Sequence, residues 1–95
     1  MYTIYVVFKS VPGKREEYIS KLQKEGIVEA VRKEDGCIRY DYYFSEKDPD
    51  EILLIEAWET KEAPQIHIDQ PHMVRLREIK PDYIISTELG EFELK

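Results

Sequence analysis

The chain has 95 residues and a net charge of −6, with 42% apolar and 36% charged residues. That length suits one domain over residues 1–95 with a thin core, and the acidic balance argues against nucleic-acid backbones and anionic membrane surfaces. No apolar run approaches the roughly 18 residues of a membrane span, the start lacks a basic signal-peptide region, and the single cysteine, Cys37, excludes an internal disulfide framework, so a small cytoplasmic protein is expected.

In chain order, Tyr2 to Lys9 is rich in β-branched and aromatic residues and reads as a strand, closed by Val11-Pro12-Gly13. From Lys14 to Lys33 the apolar residues Tyr18, Ile19, Leu22, Ile27, Ala30 and Val31 recur at three- and four-residue steps. That spacing predicts one helix with an apolar stripe. Gly26 lies within the stripe, where a close helix–sheet approach or a kink accounts for it. Asp35-Gly36 ends the helix, and Cys37 to Phe44 is a second strand. Ser45 to Asp50 is a polar turn, and Ile52 to Trp58 is the third and most apolar strand. Thr60 to Gln70 reads as helical with an interruption at Pro64, and Pro71 opens a second piece through Ile79. Tyr83 to Leu94 is the last strand, with Gly90 as a bulge or bend.

The order β-α-β-β-α-β predicts an α+β, ferredoxin-like arrangement, a four-stranded antiparallel sheet with helices on one face. The strands do not alternate cleanly. Ile4, Val6 and Phe8 oppose Tyr5 and Val7, and Leu53 and Ile55 oppose Ile52, Leu54 and Trp58. In the second strand Ile38, Tyr40, Tyr42 and Phe44 oppose Cys37, Arg39, Asp41 and Tyr43. Helices cover only one face, so a homodimer through the second face is expected.

Chemistry-bearing residues cluster late in the chain. Glu56 and Trp58 point to one sheet face, and His67, Asp69 and His72 follow closely. Histidine titrates near neutrality and suits proton transfer. On a single helix, a five-residue step is about 140° of rotation, so His67 and His72 should diverge, and no metal site is expected. His72, directly after Pro71, also fits a helix-start cap. Cys37 has no CxxC partner and reads as a small packed side chain.

The runs Glu34-Asp35-Gly36-Cys37-Ile38-Arg39-Tyr40 and Glu56-Ala57-Trp58, with His67 and Pro71-His72, resemble the antibiotic biosynthesis monooxygenase family. The resemblance covers nearly the whole chain and implies a dimeric α/β barrel of ferredoxin-like subunits. That family includes cofactor-independent oxygenases of quinols and polyketide phenols, haem-degrading enzymes and a sugar-phosphate isomerase. The haem-degrading and polyketide members use an asparagine, and this sequence contains none.

The reading that follows is a cofactor-independent monooxygenase acting with O₂ on a small quinol or phenol. His67 or His72 serves as base, Glu56 orients or charges it, and Trp58, Tyr40 and Tyr5 line the substrate pocket. No flavin, haem or metal is expected. The alternatives are an isomerase of the same fold and a non-catalytic dimeric binding or stress protein.

Overall fold

The computed structural model describes residues 1 to 93, with side chains through Glu91. Strands β1 (Tyr2–Ser10), β2 (Cys37–Phe44), β3 (Glu51–Trp58) and β4 (Ile84–Glu93) form one sheet in the order β2-β3-β1-β4. All its pairings are antiparallel. The expected end of the last strand at Leu94 lies outside the described residues.

The predicted helix over 14–33 is two helices, α1 (Arg15–Lys24) and α2 (Ile27–Arg32). Gly26 separates them at φ 75°, in left-handed space that a side chain resists. A Cβ there would meet nothing within 4 Å. The kink, not a close approach, therefore explains the glycine.

Between β3 and β4 run α3 (Ala63–His67), α4 (Pro71–Ile79) and a short 3₁₀ turn, Lys80–Asp82. Pro64 does not interrupt α3 but sits in its first turn, where a missing N–H costs nothing. The α4 helix is tied to the end of α1 by Arg75, whose guanidinium donates to both Glu25 oxygens at 2.7 and 3.0 Å.

The helices cover the face bearing Val6, Phe8, Ile52, Leu54 and Trp58, burying Tyr18, Leu22, Ile27 and Val31 against it, with Met73, Leu76 and Ile79 completing the core. The other face carries Tyr5, Val7, Leu53, Ile55 and Tyr43, with Tyr5 39% and Tyr43 45% exposed.

Two details of register depart from the sequence reading. In β2 the ladder slips between Cys37 and Arg39, so Cys37 pairs with Trp58 and Arg39 with Ala57. The extra residue, Ile38, is 51% exposed, and Cys37 joins the Tyr40 face instead of opposing it. In β4 the irregularity falls opposite Lys9 and Ser10, not at Gly90, which pairs regularly with Tyr5. A Cβ at Gly90 would lie 2.2 Å from the Tyr5 ring, so glycine is needed because that ring lies across the strand.

Candidate functional site

A pocket of about 170 Å³ lies between the sheet and the helices. Its walls include Phe8, Tyr18, Tyr40, Tyr42, Glu56 and Met73. Strand geometry puts these groups together: Tyr40 pairs with Glu56 and Tyr42 with Leu54, so their side chains share the helix-covered face. Burial pushes the Tyr42 hydroxyl up to about 12 and holds Tyr40 well above its ordinary value, which leaves both neutral as donors. Their oxygens lie 3.3 Å apart.

Glu56 is the carboxylate in this wall and is nearly buried. Desolvation lifts its pKa above the usual carboxylate range. A hydrogen bond from Trp58 and the nearby His67 offset part of that rise, while Glu34 adds to it. The Trp58 indole N–H donates to Glu56 Oε1 at 3.1 Å, a contact that the two-residue spacing on one strand allows.

Behind Trp58 lies a second cluster. The His67 ring sits 5.0 Å from the Trp58 indole and 5.9 Å from the Tyr40 ring, between centroids. His67 Nδ1 and His72 Nε2 each lie 2.7 Å from the same oxygen, Glu34 Oε2. A carboxylate oxygen accepts, so both imidazoles donate to it.

The expected divergence of the two histidines is thus overturned. Rotation along one helix does not apply, because the chain turns between α3 and α4 and brings both rings to Glu34. The expected cap is absent as well: His72 reaches Glu34, and the α4 N-terminus has no side-chain cap.

Among the described residues, Glu34, His67 and His72 are the group whose ligand atoms, all within 4.8 Å of one another, could hold a metal ion. Two imidazoles and a carboxylate suit zinc or iron(II). Here Glu34 Oε2 accepts from both rings.

Of the sequence-predicted residues, Glu56 and Tyr40 line the pocket, and Trp58 and His67 form the layer behind it. Tyr5 does not belong to the site. It projects from the opposite sheet face, since alternation along β1 separates it from Ile4, Val6 and Phe8. The sequence reading missed two residues. Glu34 appeared only as the first residue of the family-like run through Tyr40, and Tyr18 read as core. Tyr18 is fully buried, lines the pocket, and its hydroxyl has no hydrogen-bond partner among the described residues. A buried hydroxyl without a partner is a donor with capacity to spare. Cys37 stays a thiol, its pKa raised by burial and by Glu34 and Glu56.

Fold and pocket together define a small ferredoxin-like α+β domain whose helices close an aromatic pocket over one sheet face. The family model for antibiotic biosynthesis monooxygenase matches residues 1–79, and the chain belongs to that family. Protein sll1783 of Synechocystis, which is uncharacterized, is 33% identical over 76 residues, or 80% of this chain. The match spans half the length of that relative. The probable quinol monooxygenase YgiN of Escherichia coli is 31% identical over 81 residues, covering 77% of this chain and 78% of YgiN.

Solved structures share the fold. PA3566 from Pseudomonas aeruginosa superposes with a TM-score of 0.86 at 21% identity, covering 99% of this chain and 93% of its own. Rv0793 from Mycobacterium tuberculosis gives 0.83 at 23% identity, covering 99% and 94%. Among the described residues no helix is long and apolar enough to cross a membrane.

Proposed function

We propose that this chain is a monooxygenase that oxidises a one-ring phenol or quinol with O₂. The observation that carries the reading is the pocket: aromatic and aliphatic walls, a single buried carboxylate of raised pKa, and an unpaired Tyr18 hydroxyl. Apolar cavities of about 150 Å³ accept benzene, so about 170 Å³ suits one aromatic ring. Family membership and the name of the YgiN relative agree with this substrate class.

Glu56 accepts the phenolic proton, and Tyr18 donates to the ring oxygen. The electron-rich phenolate then reduces O₂ and combines with it at a ring carbon. The peroxide O–O bond breaks, one oxygen stays on the ring, and the other leaves as water with the returned proton. A quinol plus O₂ becomes a hydroxyquinone plus water, with all four electrons from the substrate. No external reductant enters the balance.

This assigns the base to Glu56, with His67 and His72 as positioning residues that act through Trp58. Glu34 holds both imidazoles, and the indole holds Glu56. A second copy of the chain covers the bare face of Tyr5, Val7, Tyr43, Leu53 and Ile55, completing a homodimer.

An oxygen electrode with one-ring quinols, and ¹⁸O₂ to follow the label into product, tests the chemistry. Glu56→Gln should cut turnover by about 10²–10⁴-fold, the usual contribution of a general base. Full turnover in that variant would return the role to a histidine. The absence of O₂ uptake would sink the oxygenase reading.

A further inference from the structure

We propose that Arg77 and Lys80 form an anion subsite at the mouth of the pocket, selecting phenols that carry a carboxylate or phosphate on a short arm. The inference rests on the phenol reading above and specifies its substrate class.

Arg77, Lys80 and Thr87 line the inner pocket and also an outer groove of about 460 Å³. They stand where the pocket meets the surface. The chain has 20 acidic residues against 14 basic ones, so carboxylates are plentiful. Lys9, Lys14, Lys21, Arg32 and Arg75 each pair with one. Among the described residues Lys24, Lys33, Lys47, Lys61, Arg77 and Lys80 have no such partner, and of these Arg77 and Lys80 are the two that line the inner pocket. Two adjacent unpaired cations at a pocket mouth leave positive potential there for a ligand.

Basic residues at a helix C-terminus are common because they complement its dipole. That explains charge near residue 80 but not the direction Lys80 takes. Its ammonium lies 5.2 Å from the centre of the Phe8 ring, inside the pocket wall. Desolvation there lowers its pKa, so a bound anion would be attracted through a partly dry medium.

The pocket is electrically polar from end to end. Glu56 repels an anion at the inner end, which leaves the phenolic oxygen for that end and the anion for the mouth. The ladder sets the length. Glu56 pairs with Ile4, and Lys80 sits over Phe8 four residues further along β1. Four strand steps are about 13 Å. Lysine and glutamate side chains reach inward and shorten that span, so a ring plus a one- or two-atom arm fits it.

The test is made in oxygen-free solution, so binding is read without turnover. Titration calorimetry on the intact protein compares 4-methylphenol, 4-hydroxyphenylacetate and 4-hydroxybenzylphosphonate. A charge-assisted contact should make at least one anionic phenol bind about tenfold tighter than the neutral one. The tighter of the two identifies carboxylate or phosphate. In the double variant Arg77→Gln, Lys80→Met, which keeps most of the lysine stem, the three ligands should converge to within about twofold. Equal affinities in the unaltered protein overturn the subsite and leave the phenol pocket standing. A preference that survives the double variant overturns the assignment to these residues. If no phenol binds, the phenol pocket and the subsite both fall.

Discussion

The two faces of the sheet carry the same kinds of residue and have opposite fates. Tyr40 and Tyr42 on one face meet each other hydroxyl to hydroxyl beneath the helices. Tyr5 and Tyr43 on the other stay well exposed in the single chain. Residue type therefore does not decide which face holds the chemistry. What differs is cover: in the single chain the helix-covered face is the one that holds the desolvated Glu56 and the aromatic pocket.

The sharpest way to break that contrast is to empty the covered face. Trp58 is fully buried between Glu56 and His67. Trp58→Ala should cost about 3–5 kcal/mol in urea unfolding, as large-to-small core changes do. A loss near zero would mean that this face is not a packed core.

The bare face has its own test. Val7→Asp places a charge in the middle of the apolar patch, where a dimer would bury it unpaired. The dimer dissociation constant should rise by roughly two to three orders of magnitude, read by sedimentation at several concentrations. The unaltered chain should sediment as a dimer burying more than about 1,200 Å². A monomer at micromolar concentration would show that the face is not paired with a second copy.

Gly90→Ala tests the packing on that same face. The new methyl would collide with the Tyr5 ring, so the ring must move, at about 1–3 kcal/mol. Tyr5→Ala in the same background should restore most of the loss. The smallest effect comes from Glu56→Gln on stability. The folded pKa of Glu56 is raised, so the native state binds its proton more tightly than the unfolded chain does. Ionised Glu56 thus lowers stability at neutral pH, and removing the charge should raise the melting temperature. The gain should shrink as pH falls through the raised pKa and vanish below the ordinary value near 4.5. A variant that melts lower at pH 7 would contradict the desolvated setting.

Element order and the amphipathic pattern were readable because helix and strand periods are local properties of sequence. Glu56 and Trp58 were placed correctly because a two-residue step on a strand fixes a shared face. The histidines were misjudged because counting degrees assumes one continuous helix, and the turn at Ile68–Gln70 removes that premise. Cys37 changed face because a one-residue bulge is invisible in an alternating pattern. Tyr18 and Glu34 were missed for a common reason. Their roles depend on partners, or the lack of them, contributed by distant stretches of chain.

The α4 helix is fastened near its start to Glu34 through His72 and at midlength to Glu25 through Arg75. It carries Met73 and Leu76 of the pocket wall, so that wall is braced from two separate parts of the chain. The end shared with the outer groove, past Lys80 and Thr87, is the route this leaves for traffic. On the proposed reading, reactant and product would share that doorway in single file, and a product that lingers there would compete directly with the next molecule to arrive.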